Sequence, residues 1–372
     1  MKNIIFLFMV ILTIGLTLSA CSPTATMSPA TPTIRLITQE PVSFPLSEPG
    51  PYYIGKLTIE LQDASRNNRQ VVIRLWYPAV LPEGSTEPYI LAGENREPDR
   101  SGAPYPLIVS SSKMAADLAP YLVTHGFVWV AITGINTYSH MNHEMIDQPL
   151  DILFALDQVA SDPPEELAGI IDADNAGAIG YSFDGYNALA LSGARIDPAY
   201  YLAQCPEPDA ATKAILLGSS AFSCNPANAW AEFAALAGEA ITVSQDGLWQ
   251  PMTDARIRAV MPMAGEGWWL FGERGLAAVN RPTLMLVATE DLIYPENALI
   301  YEHLGTPDKG LISFIGKDHI MVGDAEIIAR MAHFATAFFG YHLQGREDYA
   351  YFFSEDFVSQ FDDLFWGVYP KE

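Results

Sequence analysis

The sequence predicts an α/β domain: a mostly parallel central sheet flanked by helices and interrupted once by an inserted region. Three observations carry that expectation. Short runs rich in Val, Ile and Leu, each fit to be a strand buried on both faces, recur from residue 105 to residue 316. Helical patterns separate them, which is the alternation that parallel strands need for their crossovers. The chain of 372 residues, 49 % hydrophobic, is long enough to bury a core of that size.

The elements follow in order. KLTIELQDASRNNRQVVIRLWYPA (56–79) alternates around a polar turn and reads as an antiparallel hairpin. The core strands are then YPLIVSS (105–111), FVWVAIT (127–133), AGAIGYS (176–182), IRAVMPMA (257–264), PTLMLVAT (282–289) and LISFIG (311–316). Between them lie helical stretches such as MAADLAPYLVTHG, LDILFALDQVASD and NALALSGARI. The rhythm breaks at about residues 197–256, which hold prolines, Cys205, Cys224 and the helical ANAWAEFAALAG but no clear strand. This interval is expected to be an insertion lying over the carboxyl edge of the sheet as a lid. The terminal YAYFFSEDFVSQFDDLFWGVY carries too many aromatics to stay exposed, so it docks on the main domain or forms an oligomer or partner contact.

The first 21 residues have a different character. One lysine precedes an apolar run shorter than a bilayer span, and small residues lead to Cys21, as in a secretory signal. The ending Leu-Ser-Ala-Cys resembles a bacterial lipobox, which implies a chain cut before Cys21 and anchored to the cell membrane or outer membrane by acyl groups on that cysteine. Residues 22–50, rich in Ser, Thr and Pro, read as a flexible tether, leaving 51–372 as the folded domain. In an extracytoplasmic compartment Cys205 and Cys224 are expected to pair, with two separate thiols as the alternative. The loop so closed is about 20 residues, worth roughly 3 kcal/mol. A net charge of −24 with no basic stripe argues against nucleic acid as a partner.

The chemistry is concentrated around AIGYSFDGYNALAL (178–191). Its centre, Gly180-Tyr181-Ser182-Phe183-Asp184-Gly185, falls one residue short of Gly-x-Ser-x-Gly, with Asp184 in the place of a glycine. A serine between a strand and a helix is the context that gives such a motif meaning. It sets Ser182 at a helix N-terminus, where the Phe183 N–H can face a developing oxyanion. A serine nucleophile needs a base, and the base needs an orienting acid. Asp291 follows the strand PTLMLVAT and His319 follows LISFIG, so both fall on the same sheet edge as Ser182. Glu290 and Asp318 are the neighbouring rivals; the Ala-Thr-x-Asp context favours Asp291, and Asp318 reads as a solvated turn residue. His125, beside Gly126, suits a helix C-cap; His140 and His143 suit a loop near the site, since no further metal ligands accompany them. His303, His333 and His342 read as surface or packing residues. No metal or organic cofactor is called for.

With these residues in view the chain resembles the serine α/β-hydrolases, in the branch of plasma-type platelet-activating-factor acetylhydrolases and dienelactone-hydrolase-like bacterial proteins. The resemblance runs from about residue 56 to 340, carried by IRLWYPA, YPLIVSSS, HGFVWVAI, QPLDILFALDQ, GYSFDGYNALAL, PTLMLVATEDLIYP and GKDH. It implies a triad of Ser182, Asp291 and His319 and the hydrolysis of short-chain or oxidised acyl esters. Two departures stand out. Where the family has Ser-His-Gly after its YP strand, this chain has Ser111-Ser112-Lys113, which makes the Met114 N–H the second oxyanion donor. The other is Asp184, either favoured by the helix dipole or crowding the turn with a charge. The opposite charges of Lys113 and Asp184 suggest an ion pair between the two oddities.

The sequence thus leads to the expectation of a lipid-anchored, extracytoplasmic carboxylic ester hydrolase working through an acyl-enzyme on a small-molecule or lipid ester. A catalytically silent binding protein and a peptidase of the same fold are the alternatives. Trp230, Trp249, Trp268, Trp269 and Phe271 line an acyl pocket or make up the core of the insertion.

Overall fold

The computed structural model of the chain describes residues 43–81, 83–84, 91–133, 141–204, 227 and 229–370. Cys21, Cys205, Cys224 and His140, with the signal and most of the tether, lie outside them.

The hairpin forms as its alternation predicts. Strand β1 (Tyr53–Asp63) pairs antiparallel with β2 (Arg69–Ala79), Tyr53 opposite Ala79 and Asp63 opposite Arg69. In the turn, Asp63 accepts the Ser65 N–H at 2.9 Å, and Asn67 and Asn68 take positive φ, which asparagine tolerates better than most residues. The short β3 (Ala92–Glu94) lies parallel to β1.

The apolar runs then become β4 (Tyr105–Ser110), β5 (Val128–Thr133), β6 (Ile171–Tyr181), β7 (Ile257–Met263), β8 (Thr283–Ala288) and β9 (Lys309–Phe314). These six are mutually parallel, and β10 (Leu364–Trp366) closes the far edge antiparallel to β9. The ten-stranded sheet has the order β10-β9-β8-β7-β6-β4-β5-β2-β1-β3. The chain is therefore an α/β protein on a mostly parallel sheet.

Successive strand residues point to opposite faces, and both faces are covered. Ile108, Ile179, Met261, Leu286 and Ile312 meet helices α1 (Ala115–Thr124) and, after α2 to α8, the long α9 (Ala325–Gln344). Val109, Ala178, Val260, Met285 and Val287 face the other way, towards α2 (Met141–Ser161), α3 (Phe183–Leu191), α7 (Trp268–Leu276) and α8 (Tyr294–His303). The interval after α3 holds α4 (Pro198–Gln204), α5 (Trp230–Ala237) and α6 (Glu239–Thr242), and no strand among the described residues. Of these, α4 packs on α7 and α5 on α2.

The folded domain begins before residue 51. Phe44 and Leu46, counted with the tether on composition, pack against α9: the Leu46 N–H donates to His333 Nδ1 at 3.1 Å, and the Arg330 guanidinium lies 4.8 Å from the Phe44 ring centroid. Two apolar side chains in a proline-rich stretch give no sustained periodicity, which is why composition set the boundary at residue 51. At the other end, the aromatic terminus docks as expected. Phe357 and Val358 of α10 (Glu355–Val358) are buried, and Arg330 holds Asp363 through two hydrogen bonds of 2.6 and 2.8 Å.

Candidate active site

The sheet order creates a crevice. From β4 the chain moves outward to β5, then returns to the opposite side of β4 to form β6. Such a reversal leaves an opening beyond the carboxyl ends of the two inner strands, where α/β proteins collect their functional loops. Ser182 directly follows β6, and Ser111 to Met114 directly follow β4.

Ser182 sits at φ 61°, ψ −124°, a backbone conformation that side chains rarely adopt. Holding it costs on the order of 1–3 kcal/mol. The surroundings fix it: the Ser182 N–H donates to Met263 O, and the Gly185 N–H to Ser182 O, both at 2.8 Å. The flanking glycines are required sterically. A β-carbon at Gly180 would overlap the Asp184 carbonyl, and one at Gly185 would strike Gly265 Cα.

The three expected partners meet. His319 Nε2 lies 2.8 Å from Ser182 Oγ, and His319 Nδ1 lies 2.6 Å from Asp291 Oδ2. Asp291 is buried, and its other oxygen accepts the Ile293 N–H at 3.0 Å, so both carboxylate oxygens are aimed. The Tyr181 hydroxyl donates to His319 O at 2.6 Å; burial and then the Asp291 and Asp318 charges push that phenol above its ordinary pKa, so it stays a donor. Of the rivals, Glu290 is exposed, and Asp318 accepts the Ile320 N–H at 3.0 Å as a turn residue. A hydroxyl, an imidazole and a carboxylate in such a row can take the hydroxyl proton onto the imidazole as the oxygen attacks.

The remaining histidines fall elsewhere. His125 is the C-cap of α1, its N–H donating to Leu122 O and its Nε2 2.9 Å from Glu48 O. His143 opens α2, His303 closes α8, and His333 and His342 pack within α9. Among the described residues, no cluster of three or more His, Cys, Asp or Glu side chains is arranged to hold a metal ion.

Asp184 does not crowd the turn. Its side chain is buried and reaches across to the loop after β4, where Oδ2 accepts the main-chain N–H of Lys113 at 3.1 Å. The two residues are therefore joined through the Lys113 backbone, while the ammonium stands 6.0 Å from the Tyr181 ring centroid. Burial pushes the Asp184 carboxyl up to about 6; the Ser111 hydroxyl (close, without a well-aligned hydrogen bond), the Lys113 charge and the Lys113 N–H pull it back. Burial lowers the Lys113 ammonium, opposed by Asp184 and Glu266. Met114, the N-cap of α1, makes no hydrogen bond from its N–H among the described residues.

Sequence reasoning missed Glu266. It stands in the segment after β7, on the same sheet edge, where Ala264 and Gly267 both have positive φ. That segment is held from α8: Glu296 accepts the Gly267 and Trp268 N–H groups at 2.9 and 3.1 Å, and Asn297 donates to Gly265 O at 2.7 Å. Burial raises the Glu266 carboxyl, with His319 and Lys113 opposing and Asp291 reinforcing, so its charge bears on the site. The signal was the Gly-Glu-Gly at a strand end, which the expectation of one acid after β8 overshadowed. Glu266 shares a narrow cavity with Met145, Phe183, Tyr186, Trp269 and Leu270. Of the aromatics singled out in the sequence, Trp269 alone lines this cavity. Trp230 and Trp249 pack with Phe233, Phe271 stacks on Tyr186, and Trp268 meets His303.

No protein-family model matches the chain, and no curated protein is significantly similar to it.

Proposed function

We propose that the protein is a serine hydrolase of carboxylic esters with the α/β-hydrolase fold. The observation that carries this reading is the row Ser182 Oγ, His319 Nε2/Nδ1 and Asp291 Oδ2, with spacings of 2.8 and 2.6 Å, on a serine of positive φ at the carboxyl end of the sheet. In this reading Ser182 attacks the ester carbonyl as His319 takes its proton. His319 then returns that proton to the leaving alkoxide, and Asp291 stabilises the imidazolium throughout. The N–H groups of Phe183 and Met114 bind the oxyanion. A water activated by His319 clears the acyl-enzyme. The narrow, largely apolar cavity beside Phe183 leaves room for no more than a small group, which favours short acyl chains over long ones. The insertion on α2 and α7 acts as the lid, and the N-terminal sequence through Cys21 supports a lipid-anchored protein outside the cytoplasm.

The test is hydrolysis of p-nitrophenyl acetate and butyrate by the full chain beside Ser182→Ala, with fluorophosphonate labelling of Ser182. Turnover lost in the variant, and acetate or butyrate preferred to longer chains, is the expected result. A folded wild type that neither turns over nor labels would instead make the site a silent one, and amide cleavage in preference to ester would make it a peptidase.

A further inference from the structure

We propose that Asp184 is a positioning residue that ties the loop after β4 to α3, so that the Met114 N–H is held in place for the oxyanion. The inference rests on the ester-hydrolase reading and explains the residue that breaks the motif.

The loop is pinned around one peptide. On its N-terminal side, the Lys113 N–H is taken by Asp184 Oδ2 at 3.1 Å. On its C-terminal side, Met114 O accepts the Asp117 and Leu118 N–H groups at 3.1 and 3.0 Å and so belongs to the start of α1. Between those anchors lies the Lys113–Met114 peptide, whose N–H makes no hydrogen bond among the described residues. Further back, Trp129 Nε1–H donates to Ser110 Oγ at 2.8 Å, and Ser110 Oγ donates to Ser111 O at 2.7 Å, which fixes the loop where it leaves the strand.

Only one of these ties comes from the element that carries Ser182. Asp184 lies two residues beyond it, in the first turn of α3, and its main chain is packed against Gly180. Asp184, Ser111, Met114 and Gly180 line one small cavity beneath the turn, so the carboxylate spans the gap between β4 and β6. A glycine here leaves the Lys113 N–H without this acceptor. The loop and the nucleophile then lose their common reference point. Oxyanion donors act only when aimed at where charge develops, and removing one costs on the order of 10²–10³ in rate. Loosening one costs less.

The experiment is steady-state hydrolysis of p-nitrophenyl acetate by the full chain carrying Asp184→Ala or Asp184→Asn, with thermal unfolding to confirm folding. Asn keeps an oxygen that can accept the Lys113 N–H, whereas Ala does not. The expected result is a kcat roughly 10- to 100-fold lower in Asp184→Ala with KM changed less than about threefold, and kcat within about fivefold of wild type in Asp184→Asn. Should Asp184→Ala not fold, Asp184→Leu fills the space without an acceptor and supplies the same comparison. Wild-type kcat in the Ala or Leu variant, or an Asn variant as slow as either, overturns the tie while leaving the ester-hydrolase reading intact. A wild type that neither hydrolyses the ester nor labels at Ser182 overturns both.

Discussion

The hydroxyl of Tyr181 donates to the carbonyl oxygen of His319 at 2.6 Å, joining the residue before the serine to the residue that meets the serine. The loop after β9 is thereby fastened to the end of β6, and the imidazole reaches Ser182 from a backbone with a fixed origin. Tyr181→Phe keeps the ring and removes the donor. It is expected to cost about 1 kcal/mol in stability, the net worth of one such bond, and to lower kcat about three- to tenfold by letting the loop drift. Unfolding curves and steady-state kinetics check this; an unchanged kcat would show that the loop is held by other contacts.

Asp291 is buried with both oxygens engaged, one by the imidazole and one by the Ile293 N–H. In Asp291→Asn the amide N–H₂ facing His319 favours the tautomer that cannot accept the Ser182 proton. A loss of kcat on the order of 10³–10⁴ is expected, with KM nearly unchanged. A loss below tenfold would indicate that Glu266, the other carboxylate whose charge bears on His319, takes over the orienting role. Glu266→Gln in that background would then abolish what remained.

The turn itself admits a steric test. A β-carbon at Gly180 would meet the main chain of Asp184, which cannot swing aside as a side-chain tip would. Gly180→Ala is expected to destabilise the protein by about 1–3 kcal/mol through overpacking and to lower kcat at least tenfold by displacing Ser182. A variant of wild-type stability and rate would mean that the turn relaxes freely, and the required glycine would lose its explanation.

What could be read beforehand divides by range. The strands from Tyr105 to Phe314 announced themselves because burial on both faces demands runs such as LIV and LMLV, and the candidate residues Ser182, Asp291 and His319 were legible because each lies within a few residues of the carboxyl end of a core strand. Two strands escaped: β3 and β10 are each three residues long, too short to show a period. The expected Lys113–Asp184 link was right about proximity, and each charge bears on the other. The hydrogen bond between them is what the charges could not announce, because it is donated by a main-chain N–H, which every residue carries and no sequence advertises. Glu266 and its supports, Glu296 and Asn297, were hidden for a related reason. Their roles depend on which loop packs against which helix, and that is fixed by the long-range order of the sheet.

Two buried groups set opposite responses to pH. His333 is held down to about 3, chiefly by burial, and accepts the Leu46 N–H on Nδ1, a bond that requires the neutral ring. Its folded pKa lies below the ordinary value of 6.5, so its contribution to stability is present above pH 6.5 and is lost as pH falls towards 3. The loss is expected to reach as much as about 5 kcal/mol. Asp184 runs the other way. With a folded pKa of about 6 against 3.8, the folded state binds the extra proton, so stability is greatest below 3.8 and declines as pH rises to about 6. Asp184→Asn, neutral throughout, is therefore expected to unfold at a higher temperature than wild type at pH 7.5 and to lose that advantage at pH 4. Melting curves across pH 4–8 decide it. An Asn variant less stable than wild type at pH 7.5 would mean that Lys113 more than offsets the cost of burying the carboxylate, placing the ionised form below the neutral one in free energy.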